Sequence, residues 1–547
     1  MNCSRSTYFI ALVILAALTI PAALAAQGQS GEERRSKHHR YKLVDLGTFG
    51  GPESYINPAF TFGSHNQINR YGMVVGGAAT SIPTTVNSDG FVCGGLDGTV
   101  PFVNHAFNWE NGEITDMGAL PGGSNCSVAT SVNARGEIVG RSENGVIDPA
   151  VGVSQIRAVL WKDGELRDLG TLGGNGSSAS AINNRGQVVG FAFNAIPDPL
   201  SFIYFGLAGS PNGTQTRAFL WQEGILQDLK TLGGPDAVAL FANERGEVAG
   251  FSYTNSTPNP VTPLQPGLPT IHPFVWTREG GMQDLGSLGG TVGWANCECG
   301  GFNNRGQLVG LSTLTGDQIA DPFLWDGEKL IDLFTETIGG SPLAANAIND
   351  AGVVAGGASF PGRSFDAFLW RNGVASDLGT VGGDGCSWAR AINSRGQVVG
   401  QSFACDGSFV RSFLWEDGSM VDLNTLIARH SNLQLVDTLA INDRGEIAGL
   451  GLPPGCTLAI GDTQCGHGFL LIPCDKEDAD KEGCKNEGED ADAAIQDWPA
   501  VVNQPTSAME GGLSPREIAG RMRTRFGRSH GFGFGPGRLA NELPRLK

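Results

Sequence analysis

The stretch Asn183-Asn184-Arg185-Gly186-Gln187-Val188-Val189-Gly190 decides the fold, because variants of it occur eight times along the chain. The copies start at Asn69, Asn133, Asn183, Asn243, Asn303, Asn349, Asn393 and Asn442, with spacings of 44 to 64 residues. An Asn side chain can hydrogen-bond the backbone two residues on, and the Gly supplies a positive φ. Each copy therefore reads as a tight hairpin turn leading into a buried strand. Self-similarity at this period marks a stacked array in which each unit needs its neighbours to bury its faces.

Two further elements recur with the turn. Asp168-Leu169-Gly170-Thr171-Leu172-Gly173-Gly174 has variants from Asp45, Asp116, Asp228, Asp284, Asp332, Asp377 and Asp422, and an Ala-Phe-Leu-Trp-like element ends at Trp109, Trp161, Trp221, Trp276, Trp325, Trp370 and Trp415. In one unit the strands read as 158–161, 166–170, 179–182 and 187–191, with Lys162-Asp163-Gly164 and the Asn183 turn as hairpins. Four short strands per unit, repeated eight times, predict an all-β chain folded as an eight-bladed β-propeller of four-stranded blades over residues 41–473. The array starts on a second-strand element, Leu43 to Gly47, and stops on a first-strand element, His467 to Leu471. These N- and C-terminal segments are expected to share one blade and close the ring, which removes exposed sheet edges.

The remaining sequence sets the compartment. Arg5 precedes an apolar run from Tyr8 to Ala26 that ends in Ala23-Leu24-Ala25, the layout of a secretory signal peptide over 1–26, followed by a linker over 27–40. No later segment is apolar enough to span a bilayer. A secreted location, extracellular or periplasmic, follows as an expectation. The 81 Gly and 17% charged residues suit a turn-dense β protein, and a net charge of −18 excludes a basic nucleic-acid-binding surface. Eleven cysteines fall to ten when Cys3 leaves with the signal, an even number suited to disulfides.

The units resemble the HAF repeat, named for the His-Ala-Phe seen here as His105-Ala106-Phe107, with variants Arg217-Ala218-Phe219, His272-Pro273-Phe274, Asp366-Ala367-Phe368 and His467-Gly468-Phe469. The likeness covers roughly residues 41 to 473. It implies an extracellular bacterial repeat protein and brings no established activity with it.

Residues present in nearly every unit cannot form a unique active site. The Asn residues are therefore read as turn formers, the Asp as a loop hydrogen-bonder, the Trp as core and the Arg as a surface or inter-blade partner. Function is expected where the units differ. From the Gly ending one strand to the next Trp, the connection is long for Gly76 to Trp109, Gly140 to Trp161, Gly190 to Trp221 and Gly250 to Trp276, and short for Gly310 to Trp325, Gly356 to Trp370 and Gly400 to Trp415. Four consecutive blades thus carry insertions on one face. Phe193, Phe202, Tyr204 and Phe205 in one insertion are the candidate binding residues, exposed aromatics suited to a polysaccharide or a surface protein. The next insertion is punctuated by Pro258, Pro260, Pro263, Pro266 and Pro269. The alternative is that these loops cover one another or plug the channel.

The expected role is a non-catalytic binding scaffold with no cofactor and no catalytic residue. A propeller-type polysaccharide hydrolase or lyase is the runner-up, which a singular carboxylate cluster would favour. Disulfides are expected for Cys386 with Cys405, Cys93 with Cys126, and Cys456 with Cys465; Cys297-Glu298-Cys299 lacks the second pair of a zinc site. Residues 474–547 read as an acidic then basic tail, largely disordered, with a short helix over 515–526. Asp478, Asp480, Glu482 and Glu489 approach a calcium-loop pattern but lack its apolar mid-loop residue and flanking helices, so no metal is assigned.

Overall fold

The computed structural model describes residues 38–474, except 57–65, 85–92, 94–101, 122–124, 205–209, 261–266, 296–300, 335–340, 361–364, 407 and 457–464, together with Cys484. The expected signal peptide, most of the expected linker, Phe205, Cys297, Cys299, the calcium-like residues Asp478, Asp480, Glu482 and Glu489, and the 515–526 segment lie outside these residues. What is described is all-β, with thirty-two strands and one 3-10 turn, Leu423–Thr425. Among the described residues no helix is long and apolar enough to cross a membrane.

The third set of strands shows the plan. Gly173–Ile182, Val188–Pro197, Thr214–Gln222 and Ile225–Asp228 form one antiparallel sheet in that order, each strand paired with its chain neighbour. Six sheets have four strands. A further one of eight consists of the fourth and fifth sets, joined through a single parallel residue pair, Ile271 with Val292. The propeller architecture follows: the second strand of each of the first seven sets touches the first strand of the next, and Trp161 shares one buried cluster with Val75 and Ala106 of the preceding set.

This grouping corrects the phase of the unit as read from sequence. The strands ending at Trp161 and Asp168 belong with Ser127–Val132 and Ile138–Ile147, not with the strands that follow them. The Leu-Gly-Thr-Leu-Gly-Gly stretch is a link between sheets. A sheet therefore begins at or after the Gly-Gly segment, which the eighth lacks, and ends at or just past the repeated Asp.

In the eighth set the order is Tyr41–Asp45, His467–Pro473, Ile447–Leu452, Gln434–Ile441. The fourth strand is thus supplied from the other end of the described chain, with Tyr41 opposite Pro473 and Asp45 opposite Phe469.

The eight repeated Asn residues form a continuous cycle of hydrogen bonds. Nδ2 of Asn69 donates to the carbonyl of Asn133, Asn133 to Asn183, Asn183 to Asn243, Asn243 to Asn303, Asn303 to Asn349, Asn349 to Asn393, Asn393 to Asn442, and Asn442 back to Asn69, all at 2.9–3.2 Å. Each side-chain oxygen meanwhile accepts the backbone N–H two and four residues on, as Asn183 does from Arg185 and Gln187. One buried amide thus folds its own turn and ties it to the next.

First strands carry a bulge at one position, between Ala129 and Ser131, Ala179 and Ala181, Ala239 and Phe241, Ala345 and Ala347, Ala389 and Ala391, and Thr438 and Ala440. The bulge explains the Gly of Val-Val-Gly. A Cβ on Gly190 would lie 2.0 Å from the carbonyl oxygen of Ser178, a distance no side chain tolerates.

The His-Ala-Phe element also has a physical reading. Phe107 is fully buried, the Ala106 amide donates to Ser127 Oγ of the next set, and His105 Nδ1 pairs with Asp116 at 2.9 Å. The repeated Asp accepts the amide two residues on in all eight copies, as Asp116 does from Gly118 and Asp45 from Gly47.

Candidate functional site

Because strands alternate in direction, the Asn turns and the short Asp-Gly hairpins emerge at one end of every sheet. The insertions and inter-sheet links emerge at the other. The second and third insertions start alike, Asn144-Gly145-Val146-Ile147-Asp148-Pro149 and Asn194-Ala195-Ile196-Pro197-Asp198-Pro199. Asn144 accepts the Val146 amide and Asn194 the Ile196 amide; in the first insertion Thr80 accepts the Ile82 amide. The register skips at the same place in all three, between Ala79 and Pro83, Glu143 and Ile147, and Phe193 and Pro197. Aliphatic side chains are thereby turned outward in each of the three sets: Ile82 at 49% exposed, Val146 at 54% with Ile147 at 43%, and Ile196 at 55%.

The aromatic residues do the opposite, which corrects the expectation of an aromatic surface. Phe193, Phe202 and Tyr204 are 4%, 2% and 3% exposed. They sit in one apolar cluster with Phe251, Tyr253 and Leu268, so the loops cover one another. The Phe193 and Tyr204 rings lie 4.5 Å apart and the Phe202 and Phe251 rings 4.8 Å apart. An insertion of this length contains enough apolar surface to bury itself between its neighbours, and that burial outweighs exposure for aromatic groups of this size.

Polar anchors hold the third insertion on both sides. Tyr204 Oη donates to Asp148 of the second set at 2.6 Å, and Ser210 Oγ donates to the Ala150 carbonyl. On the other side, Asp236 accepts the amides of Phe202 and Thr216, and Tyr253 Oη donates to the Leu200 carbonyl. Burial drives the Asp236 carboxyl well above the usual carboxylate range; the two amides oppose this and neighbouring Asp198 adds to it. Burial, then Asp236 and Asp198, likewise raise Tyr253. A carboxylate pair, Asp198 with Asp236, does exist here, but these two and Asp148 on the other side of the insertion are only 7%, 2% and 4% exposed. They fasten the loop rather than face solvent. The signal that could have found them was the parallel Asp-Pro of the two insertions.

Three disulfides have the pairing expected from sequence: Cys93–Cys126, Cys386–Cys405 and Cys456–Cys465. A fourth, Cys474–Cys484, joins the end of the last strand to the acidic segment. Sequence reading missed it because it lies in a stretch whose charge signals a tail. The cluster of Cys93, Cys126 and Glu143 offers no metal site, since both sulfurs are spent in the disulfide.

The repeated outer pair varies informatively. Where six sets place His or Arg against the Asp, as in His272–Asp284 and Arg217–Asp228, the fifth and sixth carry an Asp at that position, Asp321 and Asp366, and in the fifth Asp321 faces Asp332. Burial and the Asp332 charge push Asp321 up to about 6.

No family model matches the chain, and no curated protein matches it. Among solved structures it is similar to the β-propeller domain of the Trilobed protease from Pyrococcus furiosus, at 10% identity over 68% of this chain and 97% of that one, with a TM-score of 0.37. It is also similar to a PL25 ulvan lyase, a polysaccharide lyase, at 8% identity over 79% and 96%, TM-score 0.35. A third is the Aleuria aurantia lectin, at 11% identity over 53% and 92%, TM-score 0.22.

Proposed function

We propose that the chain is an exported, non-catalytic scaffold of the HAF-repeat kind, a closed ring of eight four-stranded blades that binds a surface protein through its loop-elaborated face. The observation that carries the binding role is the regular outward placement of Ile82, Val146 and Ile196 on three consecutive sets, above loops whose aromatic residues are spent on internal packing. Scattered single aliphatics need no explanation, but one built by the same turn in consecutive units forms a surface. An apolar, non-aromatic row suits a protein partner better than a sugar, which stacks on exposed rings. Carbohydrate binding remains the second ligand class for this face.

Ring closure is supported by the cyclic Asn bonds and by the pairing of Tyr41–Asp45 with His467–Pro473. Export is supported by four disulfides, which persist in oxidising compartments. A hydrolase or lyase gains nothing from the acids of the third insertion, which are shielded from substrate.

The test is retention of the purified mature protein on intact cells of its source, before and after protease treatment, and on an array of bacterial and plant polysaccharides with product analysis. Retention that is lost after protease treatment and in an Ile82→Ser, Val146→Ser, Ile196→Ser variant is the expected result. Released oligosaccharides would replace the proposal with the enzyme. Polysaccharide retention unaffected by the triple variant would remove the protein partner and this surface from it.

A further inference from the structure

The turn at the opposite end of the sheets has one gap in its pattern. In Asn-x-Arg-Gly the Arg of five sets reaches over the Gly of the next, while at Gly72 the cover is Glu446. A Cβ on Gly186 would meet Arg135 Nη2 at 2.8 Å, and one on Gly306 would meet Arg245 Nη2 at 2.8 Å; Gly352 is covered by Arg305 and Gly445, at 2.5 Å, by Arg395. At Gly246 the cover is Gln187 with Arg185. The guanidinium also donates to the carbonyl at the Arg position of the following set, as Arg185 Nη1 does to Arg245 at 3.0 Å and Arg444 Nη1 to Tyr71 at 3.1 Å. Two turns lack the Arg. Tyr71 replaces it in the first set, where Met73 fills the space over Gly136 at 3.4 Å. Ala351 replaces it in the sixth, and nothing lies within 4 Å of a Cβ on Gly396.

That junction opens into a groove of about 640 Å³, against about 470 Å³ for the groove at the eighth-to-first junction, where Arg444 is in place. Its walls include Trp415, Asp377, Glu416 and Asp417, with Arg371 and Arg395 as the opposing charges. Glu416 Oε2 accepts from Gln397 Nε2 at 2.6 Å and is held at the groove wall. The carbonyl corresponding to those that accept a guanidinium elsewhere is that of Arg395.

We infer that the groove between the sixth and seventh sets is a receptor for a guanidinium group, which enters from a partner and takes the place the repeat Arg holds at six of the other junctions. A planar, forked donor fits because the third-to-fourth and eighth-to-first junctions seat the same group on the corresponding backbone acceptor, whereas a compact ammonium lacks the second prong. The adjoining indole adds a face for a delocalised cation. This site lies at the opposite end of the sheets from the insertions and does not depend on the reading of that face.

The experiment is calorimetric titration of the full-length mature protein with Nα-acetyl-arginine amide, Nα-acetyl-lysine amide, free arginine, and the peptide Ala-Ala-Arg-Ala-Ala. Saturable binding of the arginine amide at least ten-fold tighter than the lysine amide is expected. Ala351→Arg should abolish it while raising the thermal midpoint, and Glu416→Gln should weaken it several-fold with the fold unchanged. Tighter binding of the peptide than of free arginine assigns a protein partner; the reverse assigns a small guanidinium metabolite, and both retain the site. Absence of saturation at tens of millimolar, equal affinity for the lysine amide, or undiminished binding to Ala351→Arg would overturn it.

Discussion

Asn442 donates its side-chain amide to the backbone carbonyl of Asn69, 373 positions earlier, at 3.0 Å, in the geometry by which every other repeated Asn addresses its successor. Closing the cycle adds no bond type that the interior junctions lack. The energy of the join should equal that of an ordinary junction.

Asn183→Ala and Asn442→Ala should accordingly destabilise by similar amounts. Each removes a buried acceptor of two backbone amides and an inter-set donor, and unsatisfied buried groups cost about 1–3 kcal/mol apiece. A loss on the order of 3 kcal/mol by urea unfolding is expected for both. A loss for Asn442→Ala below about 1 kcal/mol would mean that the join contributes little.

The Asp321 pair makes a pH prediction. Its folded pKa of about 6 lies above the ordinary 3.8, so the native state holds the extra proton between those values. The associated stability is fully present below about 3.8 and is lost as pH rises through about 6. Asp321→Arg restores the pairing seen at Arg217–Asp228 and should flatten this fall. A gain of about 1–2 kcal/mol at pH 7.5 is expected after discounting for solvent screening. Thermal midpoints from pH 4 to 8 for the two proteins, differing by a constant amount throughout, would contradict the assignment.

Disulfide removal should be graded by loop length. Cys93–Cys126 spans 33 residues, Cys386–Cys405 19 and Cys456–Cys465 9. The chain-entropy relation gives losses of about 4, 3 and 2.5 kcal/mol for the paired Cys→Ser variants. Denaturant midpoints in the reverse order would show that local packing governs these sites.

Docking of the third insertion rests on Phe202 and on the Tyr204–Asp148 bond. Phe202→Ala should cost about 3–5 kcal/mol if the loop stays docked. If it undocks instead, the loss is capped near the loop's own docking energy and protease sensitivity appears within 198–213. Tyr204→Phe leaves Asp148 short of a donor and should cost about 1–3 kcal/mol. Limited proteolysis beside unfolding curves distinguishes the two responses; a Phe202→Ala protein unchanged in both would sink the docking account.

Local features were legible in the sequence. The Asn183 turn and the Cys386–Cys405 staple follow from residues a few positions apart or facing each other across one hairpin. The phase of the sheets was not, because Leu169 to Gly174 carries the same turn residues as a hairpin although it crosses between sheets. The burial of Phe202 and Tyr204 was hidden for a different reason. Whether an aromatic in an insertion meets water is decided by Phe251 and Asp148, about fifty residues to either side. Cys474–Cys484 was masked by the surrounding charge.

The register of the eighth set fixes how the molecule would respond to load. Tyr41 faces Pro473, and Cys474 donates to the Arg40 carbonyl, so the chain before residue 41 and the chain after residue 473 depart from the same end of one antiparallel pair. Tension applied between those two segments acts across the ladder and opens its hydrogen bonds one after another, like a zipper, instead of shearing them together. Pulled in this way, the join peels at low force; pulled from a face, the same strands share the strain with their sheet.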